Sequence, residues 1–336
     1  MTKQIAGSYP AAKSAMDTLQ TDYLEDEGVA EDTRSASSMS ILSEVTHYQY
    51  ENGRRYHAFR EGAYPLPNDD IEQSRLDLIH HVFLLLLQGN LFCAPVTSHP
   101  QHVLDIGTGT GIWAIDMADA FPSAQVIGTD LSPIQPSWVP PNCKFYVDDV
   151  EGEWTFNQEF DLIHGRSMCG SIADWNGLFQ QAFDHLRPGG WLEMQEFETV
   201  LYSDDASIAQ AEHIRNWSNM INEASQRFGK PFNGAGRLKQ AMVDAGFVDV
   251  REEIYKVPIG AWSEDSHLKE LGQYSLLAAY ESIEPYTLAL ATRVLGMSLE
   301  DIYRIVYGVK AELCNPQFRL YAKVHIICGM RPTHST

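Results

Sequence analysis

The residues best suited to chemistry lie in one short run. Val103 to Ala114 reads VLDIGTGTGIWA, with Asp105 followed by glycines at 107, 109 and 111. Glycine at every second position lets the backbone turn tightly and approach a ligand that a Cβ would hold away. A helix starting at Ile112 would place free N–H groups and the positive end of its dipole behind the loop. Ile112 stands where a dinucleotide fingerprint carries its third glycine, and Asp105 would repel a pyrophosphate, so an NAD-dependent oxidoreductase is the weaker reading. A second run, DLIHGRSM from Asp161 to Met168, puts His164 and Arg166 at the end of a strand. They are the candidate catalytic residues, with His164 taking a proton from a hydroxyl or carboxylic acid. A strand-end histidine satisfied by backbone is the alternative.

Alternating strands and helices must position these groups. The spacing predicts strands at 102–106, 125–129, 144–147, 160–164 and 191–195, with helices at 112–120 and 178–186 between them. That is the pattern of βαβ units and a mostly parallel sheet. Beyond it the chain reads as helix at 208–228, a short helix ending near 246, a strand at 248–259, helices at roughly 264–282 and 286–313, and a last strand at 318–328. Upstream, Asn52-Gly53 marks a turn, and the rings of Tyr48, Tyr50, Tyr56 and Phe59 suggest a segment laid against the domain. Asn68 is the expected N-cap of a helix running to about Gln88, with Ile71, Leu78, Val82 and Leu86 as its buried face.

Composition narrows the class. The 336 residues carry 24 basic and 45 acidic side chains, a net charge of −21. Such a surface repels phosphate backbones and anionic lipid, so neither nucleic acid nor membrane is expected as a partner. The longest apolar run, Val82 to Leu87, is far shorter than a membrane span. No secretory signal is expected at the N-terminus. The five cysteines are scattered, which predicts reduced thiols and no metal site.

The glycine loop and its sequel resemble motif I of class I S-adenosylmethionine-dependent methyltransferases, and LRPGGWLEMQE (Leu186 to Glu196) is similar to that family's fifth strand and the turn before it. The segments ENGRRYHAF, YPLPNDDIEQSRLD, DDVEGEW and SIADW resemble the fungal branch around the secondary-metabolism regulator LaeA. The likeness runs from about Gly53 to Met330. It implies an α/β fold, a Rossmann-like seven-stranded sheet with helices on both faces, and S-adenosylmethionine as cofactor. An arm at 1–42 is expected to be flexible, followed by a helical cap at 43–100. The core at 101–336 would carry a lid insertion at about 200–240 and a helical insertion at about 264–313.

On this resemblance Gly107, Thr108, Gly109 and Gly111 form the loop under the cofactor, and Asp105 lies near its ammonium group. Asp130, followed by Leu131, accepts both ribose hydroxyls through its two oxygens. Asp149 or Asp148, with the amide of Val150, frames the adenine. The Asn/Asp-Pro-Pro-Tyr motif of many amide and exocyclic-amine methylases is absent. Tyr56, Tyr64, Tyr202, His213, Trp217, Met220 and Trp262 are candidate substrate walls, although aromatics at helical spacing more often build core. The expected activity is methyl transfer to oxygen, less readily nitrogen, of a small acidic or phenolic metabolite, in the cytoplasm. The alternative is a LaeA-like regulator acting through protein partners, docked on the arm, with a nuclear location. The oligomeric state stays open.

Overall fold

The computed structural model describes residues 48–97 and 99–333. The arm expected at 1–42, and residues 43–47 of the cap, lie outside the described residues. The cap opens with a hairpin, β1 (Gln49–Glu51) and β2 (Arg54–Tyr56), closed by Asn52 and Gly53 at φ 52° and 78°. Positive φ at both turn residues matches the twist of antiparallel strands. Tyr56 is buried, whereas Tyr50 is 75% exposed.

Helix α1 (Asp70–Leu86) is capped by Asp69, whose carboxylate accepts the Glu72 N–H, one residue later than the expected Asn68. Asn68 has other work: its amide donates to Ser132 Oγ at 3.1 Å and its Oδ1 accepts from Arg55. The buried face also differs from the apolar reading. Ile71 is exposed, while Glu72, Arg75 and His80 are buried with Val82 and Phe83. A polar face turned inward marks a helix that lines a site.

The sheet follows the order β5-β4-β3-β6-β7-β9-β8. Its parallel part consists of β3 (His102–Ile106), β4 (Gln125–Asp130), β5 (Cys143–Val147), β6 (Phe160–Arg166) and the start of β7 (Leu186–Tyr202). Strand β9 (Leu320–Met330) runs antiparallel between β7 and β8 (Val248–Ile259). Successive residues of β3 and β6 feed opposite cores. Val103 and Leu162 pack with α2 (Ile112–Ala120), and Leu104 and Ile163 pack with α3 (Trp175–His185) and α5 (Leu238–Asp244). Burial on both faces explains their near-continuous apolar character.

A third core joins α4 (Glu212–Phe228), α6 (Ser266–Arg293) and α7 (Leu299–Leu313) to the ends of β8 and β9. Helix α6 runs through Pro285, where the sequence predicts a break between two helices. Proline removes one helical N–H, but burial of Ile283, Leu288, Ala289, Leu290 and Ala291 on both sides holds the helix continuous. Strand β7 is also longer than expected and carries a register shift between Phe197 and Leu201, beyond which Leu201 and Tyr202 pair with β9 again; Phe197, Glu198, Thr199 and Leu201 wall a cavity. All five cysteines are free thiols, and no helix among the described residues is long and apolar enough to cross a membrane.

Candidate active site

The glycine loop leaves β3 with φ of 64°, 59° and 81° at Gly107, Gly109 and Gly111, values that side chains with a Cβ rarely adopt. A Cβ on Gly107 would fall on the Met168 thioether, and one on Gly111 inside the Phe145 ring. The loop is tied to the next strand: Thr108 N–H donates to Thr129 O at 2.9 Å and Gly109 N–H to Asp130 Oδ2 at 2.8 Å. Asp130 Oδ1 accepts from Ser132 N–H at 2.9 Å. Burial pushes the Asp130 carboxyl up to about 6, against the pull of these N–H donors.

A cleft of about 980 Å³ opens over this loop. It brings together Gly107, Gly109, Asp130, Leu131, Asp148, Asp149 and Val150 from the predicted cofactor set. Asp105 and Thr108 line a smaller adjoining cleft, and Gly111 lies behind the loop as the N-cap of α2. The fit to an adenosyl group rests on the glycine cradle and on Asp130. Each of its oxygens has one backbone donor and a second lone pair to offer a hydroxyl. Asp149 is fixed by Arg60 Nε at 3.3 Å and by the N–H of Glu151 at 3.0 Å.

Asp105 is held within the protein. Its Oδ2 accepts from Thr108 Oγ1 at 2.6 Å, and its Oδ1 lies 2.7 Å from His164 Nδ1. His164, expected as the proton acceptor, is fully buried and stacked on Trp113 with centroids 3.7 Å apart and planes 3° apart; it lines the smaller adjoining cleft with Asp105 and Thr108, and does not line the main cleft. Through Asp105 it braces the loop.

Arg166 does face the main cleft. Its Nη2 donates to His80 Nδ1 at 3.0 Å, and its guanidinium lies 5.0 Å from the Phe83 ring centre. Arginine has no acceptor, so His80 Nδ1 carries the lone pair and Nε2–H donates to Asp116 Oδ2 at 2.9 Å. Burial lowers His80 below the usual imidazole value and Arg166 to about 10. No carboxylate among the described residues reaches Arg166 within ion-pair distance. Arg75, by contrast, is paired with Glu72 at 2.5 and 3.0 Å.

Sequence reasoning missed the residues just beyond Arg166. Ser167, at φ 55°, lines all three clefts, and its buried Oγ has no hydrogen-bond partner among the described residues. The N–H groups of Met168 and Cys169 donate to the carboxylate of Glu196 at 2.8 and 3.0 Å. Burial pushes Glu196 up to about 7. Position was the available signal, since ligands bind at the carboxyl ends of parallel strands.

A second, mostly apolar cavity of about 800 Å³ meets the main cleft at Ile79, Ser167 and Tyr286. Of the predicted substrate walls only Trp217 lines it, with Nε1 donating to Thr287 Oγ1 at 2.7 Å. Tyr64 lines the cofactor cleft instead. The others line none of the clefts. Tyr56 is buried beneath Arg293, Tyr202 stacks on Tyr321, and Trp262 donates to Leu320 O. His213 packs on Gly308, and Met220 joins the helical core. Their apolar faces pack element against element, as ring-rich segments usually do.

A methyltransferase-domain profile matches residues 78–252. The chain is 41% identical to the methyltransferase pytC of Aspergillus terreus, over 88% of this chain and 92% of that protein. It is 39% identical to the secondary metabolism regulator LAE1 of Cochliobolus heterostrophus, over 89% and 99%. Identity to the protein-methionine methyltransferase laeA of Emericella nidulans is 38%, over 86% and 78%. Together with the sheet order and the glycine cradle, these matches show that the chain belongs to the class I S-adenosylmethionine-dependent methyltransferases, in the fungal branch that holds these relatives.

Proposed function

We propose that the protein transfers a methyl group to an oxygen, less readily a nitrogen, of a small acidic or phenolic metabolite in fungal secondary metabolism. The observation that carries this reading is the junction at Ser167 and Tyr286, where the acid-bearing cleft over the glycine loop meets a second, apolar cavity. The bound cofactor supplies a methyl on a positively charged sulfur, open to in-line displacement. Asp130 offers acceptors to the ribose hydroxyls, while Asp148, Asp149 and Val150 wall the adenine side.

An acceptor that is already an anion at neutral pH suits this cleft, because every acid lining it is engaged. Glu72 is held by Arg75, Glu151 by Lys230 at 2.9 Å, and Asp149 by Arg60. Asp130 and Asp148 accept backbone N–H groups. Burial raises the Tyr64 and Tyr286 hydroxyls above the usual phenol value. A carboxylate or acidic phenol needs no proton removed, only alignment.

The names of the relatives favour a second reading, in which the acceptor is a methionine thioether of a protein and the role is regulatory. A thioether also has no proton to lose. Thermal unfolding with S-adenosylhomocysteine tests the shared part: at about 100 times Kd the ligand adds roughly 2.7 kcal/mol, and Asp130→Ala abolishes the shift. Label from methyl-labelled S-adenosylmethionine then separates the two readings. Transfer to a fungal metabolite extract supports the first; transfer only to protein overturns it.

A further inference from the structure

The apolar cavity has a direction. One stripe of α6 lines it with Ser275, Ala278, Ala279, Ser282, Ile283 and Tyr286, the spacing of a single helix face. Tyr286 borders the cofactor cleft. Ser275 lies about 16 Å back along the axis at 1.5 Å per residue. The small residues between them leave a hollow where helix packing would ordinarily seat bulky side chains. Beyond Ser275 the helix closes onto β8, with Gly260 N–H donating to Gly272 O at 2.9 Å and no room for a Cβ on Gly272.

The second observation is polar. Ser275 is 3% exposed, and its Oγ has no hydrogen-bond partner among the described residues, a defect that a guest with a polar end would repair. The one charged group lining the cavity, Glu198, is already held by His325 Nε2 at 2.7 Å and by Tyr202. A polypeptide would bring backbone N–H and C=O groups into a wall with few partners for them. A hydrocarbon body brings none.

We propose that the methyl acceptor is an elongated, mostly apolar molecule whose reacting group sits at Ser167 and Tyr286 and whose far end presents a hydroxyl or carbonyl to Ser275. The identity of the reacting end rests on the methyl-transfer reading; the apolar body rests on the cavity alone.

The test uses the full-length protein with and without S-adenosylhomocysteine. Nile red is bound, then displaced by linear alkan-1-ols and α,ω-diols of increasing length. Displacement strengthens about 4-fold per added methylene and levels off at about 12 carbons, the extended length that matches about 16 Å of helix. The diol of that length outcompetes the alcohol, and Ser275→Ala removes the difference. Ala279→Leu moves the break to shorter chains while the S-adenosylhomocysteine thermal shift persists; Ala278→Val serves where Ala279→Leu folds poorly. Absence of displacement, strengthening that continues through the longest chain, or a break unmoved by either variant overturns the proposal. Displacement that behaves as expected in a protein that ignores S-adenosylhomocysteine supports the cavity's assignment and overturns the methyl-transfer reading instead.

Discussion

His164 Nδ1 lies 2.7 Å from Asp105 Oδ1, on neighbouring parallel strands where the two residues are direct register partners. The pair is sealed by Trp113 stacked on the imidazole and by Thr108 on the other carboxylate oxygen. Asp105 thereby anchors the glycine loop through Thr108, and His164 anchors Asp105. A residue that stands at the right strand end for catalysis has become part of the mounting.

This arrangement predicts a stability phenotype. His164→Ala leaves a buried carboxylate without its partner and lowers stability by about 3–5 kcal/mol, read by denaturant unfolding. His164→Asn restores a donor and recovers part of that loss. Turnover per folded molecule in His164→Asn stays within about 10-fold of wild type, below the contribution of a true general base. A loss of several thousand-fold in a well-folded His164→Asn protein would return the histidine to catalysis.

The loop glycines separate steric from conformational cost. Gly111→Ala combines φ 81° with a Cβ driven into the Phe145 ring. Gly109→Ala has a similar backbone, but its Cβ would stand 3.3 Å from a methyl of Leu76, which can shift. The expected loss is about 1–2 kcal/mol of strain for Gly109→Ala and clearly more for Gly111→Ala. Equal melting temperatures for the two variants would refute this ordering.

How far the sequence could be read depended on whether the relevant signal was local. The loop glycines, Asp130 and the order of the strands are local patterns. So is the Asn52-Gly53 hairpin, whose turn chemistry needs no tertiary context. The cavity walls are different. Ser275, Ala279 and Tyr286 matter because α6 lies against β8, α4 and α7, and nothing in their own segment announces a hollow. The same holds for Glu72 and Arg75, whose mutual pairing lets a polar helix face turn inward and defeats an apolar-stripe argument. Pro285 shows the reverse case, a strong local breaker overruled by burial on both sides.

Arg166 carries a prediction with two opposite signs. Its charge is buried without a carboxylate, so Arg166→Met leaves the stability of the ligand-free protein unchanged or raised. Affinity for S-adenosylhomocysteine falls about 10–100-fold, the worth of one charge-assisted hydrogen bond. Affinity for methylthioadenosine, which lacks the amino-acid part, is unchanged when the guanidinium serves the cofactor's carboxylate. Calorimetric titration of both ligands decides it. A variant that binds S-adenosylhomocysteine as wild type does reserves Arg166 for the acceptor's anion.

Asp130 sets a pH dependence whose direction follows from burial. Its carboxyl is raised from the ordinary aspartate range to about 6, so the folded chain holds that proton more tightly than the unfolded chain. The resulting stability is fully present below about pH 4 and is lost as pH rises through about 6, on the order of 3 kcal/mol in all. Glu196, raised to about 7, adds a drift of the same sign that extends to higher pH. Cofactor binding runs the other way. The ribose hydroxyls donate to an ionised carboxylate, so S-adenosylhomocysteine affinity weakens below pH 6 by up to about tenfold per pH unit. The ligand-induced rise in melting temperature is therefore larger at pH 8 than at pH 5. Asp130→Asn separates the two carboxyls: it removes the Asp130 part of the stability drift, leaves the Glu196 part in place, and flattens the affinity profile at a weaker value. An affinity profile in Asp130→Asn with the same slope as wild type would move the titrating group elsewhere.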